Sequence, residues 1–260
     1  MKNKKIQKII HLKDKRKIAC LTSYTTPISR ILDRYCDIIL VGDSVGTVHY
    51  GMKSTREVTL DMIIRHSKSV KLGATKTLVV ADMPYKTYQN KFQAFKNASL
   101  LLRQTKCDAI KLEGGKKISK IVNYLVKKKI PVMGHIGYLP QHSKNKFSIS
   151  GKTERAENEL LNDAVALENA GVFSVVLECV MPGLARKITK RLKVPTIGIG
   201  SSKNCDGQIL VIDDMIGLSG FYPKFVKKYS NVKKIIEMSV KKYCVEVRKS
   251  KFPSTRNSYK

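Results

Sequence analysis

Short apolar runs alternate with longer amphipathic stretches along most of this chain. Eight runs read as strands: Ile18–Tyr24, Ile38–Gly42, Thr77–Asp82, Ala109–Glu113, Pro131–His135, Ser174–Glu178, Thr196–Gly200 and Ile209–Ile212. The stretches between them carry helix start and stop signals. Thr59 predicts a cap for a helix that runs to Gly73. Thr153, followed by Glu154 and Glu157, predicts a helix ending at Gly171, with Ala156, Leu160, Leu161, Ala164, Val165 and Leu167 at helical spacing. Pro182 opens a helix to about Leu192, and a further helix follows Asn231 before the polar end 252–260. Strand–helix alternation of this kind implies a parallel sheet. Eight such units in 260 residues fit the size of a (β/α)8 TIM barrel, about 250 residues. An open doubly wound sheet is the rival. No linker rich in Pro, Gly or Ser divides the chain, which predicts one barrel domain over 1–260 with an N-terminal basic segment and a C-terminal helical tail.

Four of the runs end in a carboxylate: Asp43, Asp82, Glu113 and Glu178. A buried carboxylate is costly unless it is paired or binds a cation. Four at matching places on successive strands therefore predict one shared acidic site. Alternation places Lys111 with Glu113, Val80 with Asp82, Val41 with Asp43, and Val176 with Glu178 on common faces. The polar members converge at the C-terminal rim, where barrel active sites lie.

Asp43, Asp82 and Glu113 form a hard oxygen set suited to Mg2+. No His/Cys cluster has zinc spacing. A single strand-end Asp would instead cap the next loop. Lys111 beside such a site suits a substrate carboxylate, a Schiff base or an ion pair with Glu113 or a neighbouring Asp. Glu178 suits a general base or a structural salt bridge. His135, in Gly134-His-Ile-Gly137, is an accessory candidate for hydrogen bonding or proton transfer, or a structural histidine. His66 falls in a helical pattern without a catalytic role. Gly42-Asp-Ser-Val-Gly46 matches a nucleophile elbow, but the following 47–54 reads as a loop where an elbow requires a helix. Ser44 then offers its hydroxyl or N–H to a bound anion. Gly198-Ile-Gly200-Ser-Ser is a phosphate-loop pattern that close strand packing explains equally well.

Composition narrows the class. Hydrophobic residues are 42% of the chain, which supports a core. No apolar run reaches the ~18 residues of a membrane span, and the basic N-terminal segment lacks the pattern of a secretory signal. The six cysteines are scattered without a C-x-x-C pair and read as reduced core thiols of a cytosolic protein. The formal charge of +30 fits either nucleic-acid binding or drift toward lysine on outer helices, such as Lys116, Lys117, Lys120 and Lys127 to Lys129. No RNA-binding aromatic signature accompanies it.

The ordered motifs carry a family resemblance. Leu40-Val-Gly-Asp-Ser-Val-Gly46, Ala81-Asp-Met-Pro84, Ile110-Lys-Leu-Glu-Gly-Gly115, Gly134-His-Ile-Gly137, Val176-Leu-Glu-Cys-Val180, and Ile197-Gly-Ile-Gly200 followed by Asp206-Gly-Gln-Ile-Leu210 resemble the ketopantoate hydroxymethyltransferase family. The resemblance runs from about Ile18 to the C-terminus. It implies a (β/α)8 barrel related to the phosphoenolpyruvate-utilising barrels. It implies transfer of a hydroxymethyl group from 5,10-methylenetetrahydrofolate to 3-methyl-2-oxobutanoate, giving 2-dehydropantoate in the first step of pantothenate and coenzyme A synthesis. It implies Mg2+ at Asp43 and Asp82 with Glu113 as a third acidic residue. It further implies keto-acid contacts from Asp43, Ser44, Asp82 and Lys111, and Glu178 as proton acceptor. Members are cytoplasmic homo-oligomers, commonly decamers, with no membrane and no specific nucleic-acid partner. Alternatives are another Mg2+-dependent keto-acid lyase or aldolase barrel, and a basic nucleic-acid-binding protein.

Some positions depart from the family pattern. The loop 141–151 looks shorter by about two residues and reads Lys146-Phe-Ser-Ile-Ser-Gly151 where Gly-Gly-Tyr-Lys is usual. Gly200-Ser-Ser202, Asp213-Asp214 and Arg256-Asn-Ser-Tyr259 replace Gly-Ala-Gly, His-Asp and Glu-His-Ser-Phe. These changes avoid the catalytic set; they put in question what the resemblance implies for folate contacts, loop closure and subunit contacts, while activity is expected to persist.

Overall fold

The computed structural model describes residues 4–143, 148–220 and 222–259, so Lys146 and Phe147 of the shortened loop lie outside the described residues. The chain forms two compact units, 1–211 and 212–260.

The first unit is a closed barrel of eight parallel strands in sequential order. They are β1 (Ile18–Thr22), β2 (Ile38–Val41), β3 (Leu78–Asp82), β4 (Ala109–Glu113), β5 (Val132–Gly137), β6 (Ser174–Glu178), β7 (Thr196–Ile199) and β8 (Gly207–Leu210). β8 pairs with β1, which excludes the open doubly wound sheet. The helices are α1 (Lys4–His11), α2 (Thr26–Leu32), α3 (Val45–His49), α4 (Leu60–Gly73), α5 (Lys91–Thr105), α6 (Ser119–Lys127), α7 (Glu154–Ala170) and α8 (Pro182–Arg191). Thr59 and Thr153 cap α4 and α7 by accepting from Met62 and Ala156 N–H. Gly171 stops α7 in the left-handed region, with φ 96°. Pro182 stands in the first turn of α8, where its missing N–H costs nothing.

The barrel interior is one apolar cluster built from alternate strand residues, including Ile18, Ile38, Leu40, Leu78, Val80, Ala109, Met133, Val176 and Ile197. Ile6 and Ile9 of α1 join this cluster. Lys5 Nζ donates to Thr75 and Thr77 carbonyls just before β3, and Lys17 Nζ to the Cys205 carbonyl just before β8. α1 and the segment that follows it therefore cover the N-terminal mouth, a role their basic composition concealed. The six outer lysines at 116, 117, 120 and 127–129 are exposed. All six cysteines are free thiols, four of them buried. No helix among the described residues is long and apolar enough to cross a membrane.

The second unit contains α9 (Ile212–Met215) and α10 (Val232–Arg248). Asn231 caps α10 through Lys234 N–H, at the place the sequence predicts.

Candidate active site

Strand register brings the polar residues of the C-terminal rim together. Asp82 on β3 stands opposite Lys111 on β4, and Glu113 opposite His135 on β5. Each acid thus meets a base one strand away. Lys111 Nζ lies 3.0 Å from Asp82 Oδ1. His135 Nδ1 lies 3.5 Å from Glu113 Oε1, and Nε2 lies 3.2 Å from Glu178 Oε2. Neither Asp82 Oδ1 nor His135 Nε2 has an aligned hydrogen bond despite these short contacts. His135 is not the end of its strand; β5 continues to Gly137, and His135 also pairs with Val176 of β6.

Asp43 arrives by a different route from the one alternation predicts. Ile38 and Leu40 face the interior, so Val41 turns toward the helices and Gly42 takes the next inward position. A Cβ at Gly42 would stand 2.9 Å from Ser44 Oγ and 3.6 Å from Asp82 Oδ2. Glycine there leaves room for both side chains. The chain then bends, and Asp43 N–H donates to Asp82 Oδ2 at 2.9 Å. β2 ends before Asp43, which is why the common face of Val41 and Asp43 does not hold.

Ser44 shares a 2.8 Å hydrogen bond with Tyr24 OH. The chain does pass into a helix here, α3, where a loop was expected. Ser44 nonetheless has ordinary helical φ/ψ of −53° and −17°, without the strain of a nucleophile elbow. His66 bonds to Tyr24 O and Tyr50 OH from within α4, a structural arrangement. At Gly198 a Cβ would meet Cys205 Sγ and the Gln208 amide at 3.1 Å, so packing accounts for that glycine.

Glu178 ends β6 and remains the most accessible of these side chains, 15% exposed against 1–5% for Lys111, Asp82, Glu113 and His135. Its backbone is fixed: Tyr138 N–H donates to Glu178 O at 2.8 Å, and Cys179 follows at φ 51°. A non-glycine residue in that region is disfavoured, and such backbone clusters at functional sites.

The electrostatics follow from burial and proximity. Burial, then repulsion from Asp82 and Glu113, pushes the Asp43 carboxyl well above its ordinary range, against Lys111 and a Gln141 hydrogen bond. Burial also raises Asp82, although Lys111 and the Asp43 N–H oppose it. Burial works against the charge of Glu113, but the hydrogen bond and charge of His135, with Lys111 and Gln141 N–H, outweigh it and lower that pKa. Burial and Lys111 work against a charged His135; Glu113 and Glu178 prevail and lift it to about 9. Nδ1 also stands 3.3 Å from Lys111 Nζ, a contact in which only a neutral ring accepts. Burial disfavours the Lys111 ammonium, but Asp82, Glu113 and Asp43 overcome it and raise the pKa. A lysine held charged in this way is a poor Schiff-base nucleophile.

Two residues of this site carry no signal in the sequence pattern. Gln141, after β5, is 1% exposed. Its Nε2 donates to Asp43 Oδ2 at 2.8 Å and to Met83 O at 3.1 Å, and its backbone N–H to Glu113 Oε2 at 3.0 Å. Tyr88 OH donates to Gln141 Oε1 at 2.6 Å. Both lie in loops, where no periodicity marks an inward side chain.

The donor chemistry fits a hard divalent ion. Asp43 and Asp82 are buried oxygen donors whose charges repel, and Asp82 Oδ1 has no aligned donor. An oxygen-preferring cation relieves both conditions. Among the described residues, no group of three His, Cys, Asp or Glu side chains is arranged to hold a metal. Glu113 is turned instead to His135 and Gln141. Mg2+ commonly uses only one or two protein carboxylates and keeps several waters, so two direct ligands suffice.

Comparison with known proteins agrees with this geometry. The family model for ketopantoate hydroxymethyltransferase matches residues 3–255. The chain is 54% identical over 257 residues to the 3-methyl-2-oxobutanoate hydroxymethyltransferase of Pelagibacter ubique (strain HTCC1062), covering 99% of this chain and 100% of that protein. It is 51% identical over 245 residues to the enzyme of the same name from Anaplasma marginale (strain St. Maries), covering 94% of this chain and 88% of the relative. Among solved structures, 2,3-dimethylmalate lyase, a PEP mutase/isocitrate lyase superfamily member, superposes with a TM-score of 0.61 at 11% identity, covering 97% of this chain and 87% of that one. The structural likeness shows a shared barrel fold. The sequence matches reach further: this chain belongs to the ketopantoate hydroxymethyltransferase family.

Proposed function

We propose that this chain transfers a hydroxymethyl group from 5,10-methylenetetrahydrofolate to 3-methyl-2-oxobutanoate, forming 2-dehydropantoate and tetrahydrofolate on the route to pantothenate and coenzyme A. The observation that carries the reading is the cluster of Asp43, Asp82, Lys111, Glu113, His135 and Glu178 at one rim of the barrel. It joins a cation-seeking pair of carboxylates to a separate, more accessible carboxylate.

Asp43 and Asp82 would hold Mg2+, with Glu113 as the third acidic residue beside them, and the ion would supply Lewis acidity toward the 2-oxo acid. Lys111 offsets the substrate carboxylate, its charge secured by three surrounding acids. Ser44 Oγ, beside the inward face of Gly42, reaches the same space as a hydrogen-bond partner. Glu178 removes the C3 proton. His135, held between Glu113 and Glu178, orients the Glu178 carboxylate. The C3 carbanion bonds to the one-carbon unit, both C–N bonds that tie this carbon to the folate break, and water supplies the hydroxyl oxygen; the proton taken by Glu178 and one from water go to the two folate nitrogens. Holding both substrates at one rim supplies further acceleration. The enzyme works in the cytoplasm as a homo-oligomer, and light scattering is expected to return the mass of a decamer.

The test combines turnover with isotope exchange. Product formation requires Mg2+ and methylenetetrahydrofolate together; turnover of the keto acid without folate would instead place the chain among the lyases or aldolases. In Glu178→Gln, keto-acid binding persists while exchange of the C3 hydrogen with solvent falls by at least ~100-fold. Undiminished exchange would assign the base elsewhere.

A further inference from the structure

Gln141 is the one side-chain donor to the Asp43 carboxylate recorded among the described residues. Its two amide hydrogens are both spent, on Asp43 Oδ2 and on the Met83 carbonyl. Both partners are acceptors, so the amide has a single workable orientation, with Nε2 toward them. Tyr88 OH locks that orientation by donating to Oε1 at 2.6 Å. The backbone N–H of the same residue holds Glu113 Oε2. One buried residue after β5 thus ties together the segments following β2 and β3 and the end of β4. A fully satisfied buried amide of this kind specifies geometry, and a partly satisfied one loosens it.

We infer that Gln141 is a positioning residue for the cation: it clamps Oδ2 of Asp43, leaves Oδ1 for the metal, and holds Glu113 aside, with Tyr88 as the lock on its amide. The inference rests on the metal reading above. Oδ2 is engaged by Gln141 while no bond to Oδ1 is recorded among the described residues. Without the clamp, the Asp43 carboxylate is free to rotate, and the site is organised only when the ion binds. The clamp acts on metal affinity, and through Asp43 on the keto acid, without touching the reacting atoms.

Calorimetric titration of metal-free protein with Mg2+ alone tests this, with thermal unfolding as the control for folding. Loss of a hydrogen bond to a charged group predicts that Gln141→Ala weakens Mg2+ binding about tenfold. Tyr88→Phe keeps the ring and the amide, and weakens binding about threefold, a fraction of that loss. The double variant is no weaker than Gln141→Ala, because Tyr88 acts through Gln141. Should Gln141→Ala fail to fold, Tyr88→Phe carries the test alone. Wild-type affinity in either single variant, or additive losses in the double, would overturn the inference while leaving the metal reading intact. Wild-type protein that takes up no Mg2+ would overturn both.

Discussion

Asp37 and Asp43 bracket the same strand, yet their environments are opposite. Asp37 precedes β2 at the N-terminal mouth, where Arg16 makes two hydrogen bonds to it at 2.6 and 2.8 Å and Ala19 N–H adds a third. Burial opposes its charge, but these donors win and its pKa falls. Asp33 nearby accepts from the backbone N–H groups of Thr75, Lys76 and Thr77, and against the effect of burial its pKa drops to about 2. At the other mouth, burial raises both Asp43 and Asp82, helped by repulsion from Asp82 and Glu113 on Asp43 and from Glu113 on Asp82. The N-terminal carboxylates hold the fold together. Asp43 and Asp82 work against it, a common cost of a preorganised site, and a bound cation would offset that cost.

The contrast is broken most sharply at Asp43. Asp43→Asn lowers turnover by at least ~100-fold, the scale of losing a group that stabilises charge in the transition state. The same change raises the unfolding temperature of the metal-free protein by about 2–4 °C, the shift that ~1 kcal/mol of relieved repulsion brings to a protein of this size. A lower unfolding temperature would show that Asp43 is a stabilising group after all. Asp33→Ala works in the other direction. It costs about 2 kcal/mol in a denaturant titration by leaving backbone donors unmatched, with kcat unchanged in the folded protein.

pH separates the two mouths without mutation. A lowered acid contributes stability above its unfolded pKa, and that contribution is lost as pH falls through the folded value. For Asp33 the loss falls between about 4 and about 2. A raised acid behaves oppositely: the folded state holds its proton more tightly, so stability declines as pH rises through the folded value. Thermal shift on adding Mg2+ is therefore larger at pH 7.5 than at pH 5, where protons compete for Asp43 and Asp82. An equal shift at both would remove the repulsion argument. The smallest effect is expected for Arg16→Lys, which replaces a two-point contact on an arginine 51% exposed. Chemical denaturation is expected to register about 0.5–1 kcal/mol, with no change in Mg2+ affinity.

Much of this was legible in the residue pattern, for physical reasons. Thr59, Thr153 and Pro182 announce their helices because capping chemistry is local. Asp82, Lys111, Glu113 and Glu178 announce a site because a charged end on an apolar strand demands a partner. Local signals fail where tertiary geometry decides. Asp43 reaches the rim through a bend after β2, so strand parity misplaces it. Val45–His49 is a helix too short to show a period. Ile6 and Ile9 enter the barrel from a segment whose lysines dominate its composition. Gln141 becomes a site residue only through a partner 98 positions away.

The pairing of β1 with β8 has a consequence for how the protein is made. Until β8 docks, β1 has one strand neighbour and the apolar interior stays open to water along that seam. Closure by β8 completes the apolar interior beneath the rim, so any ion that bound the finished rim and not the open chain would favour the closed form.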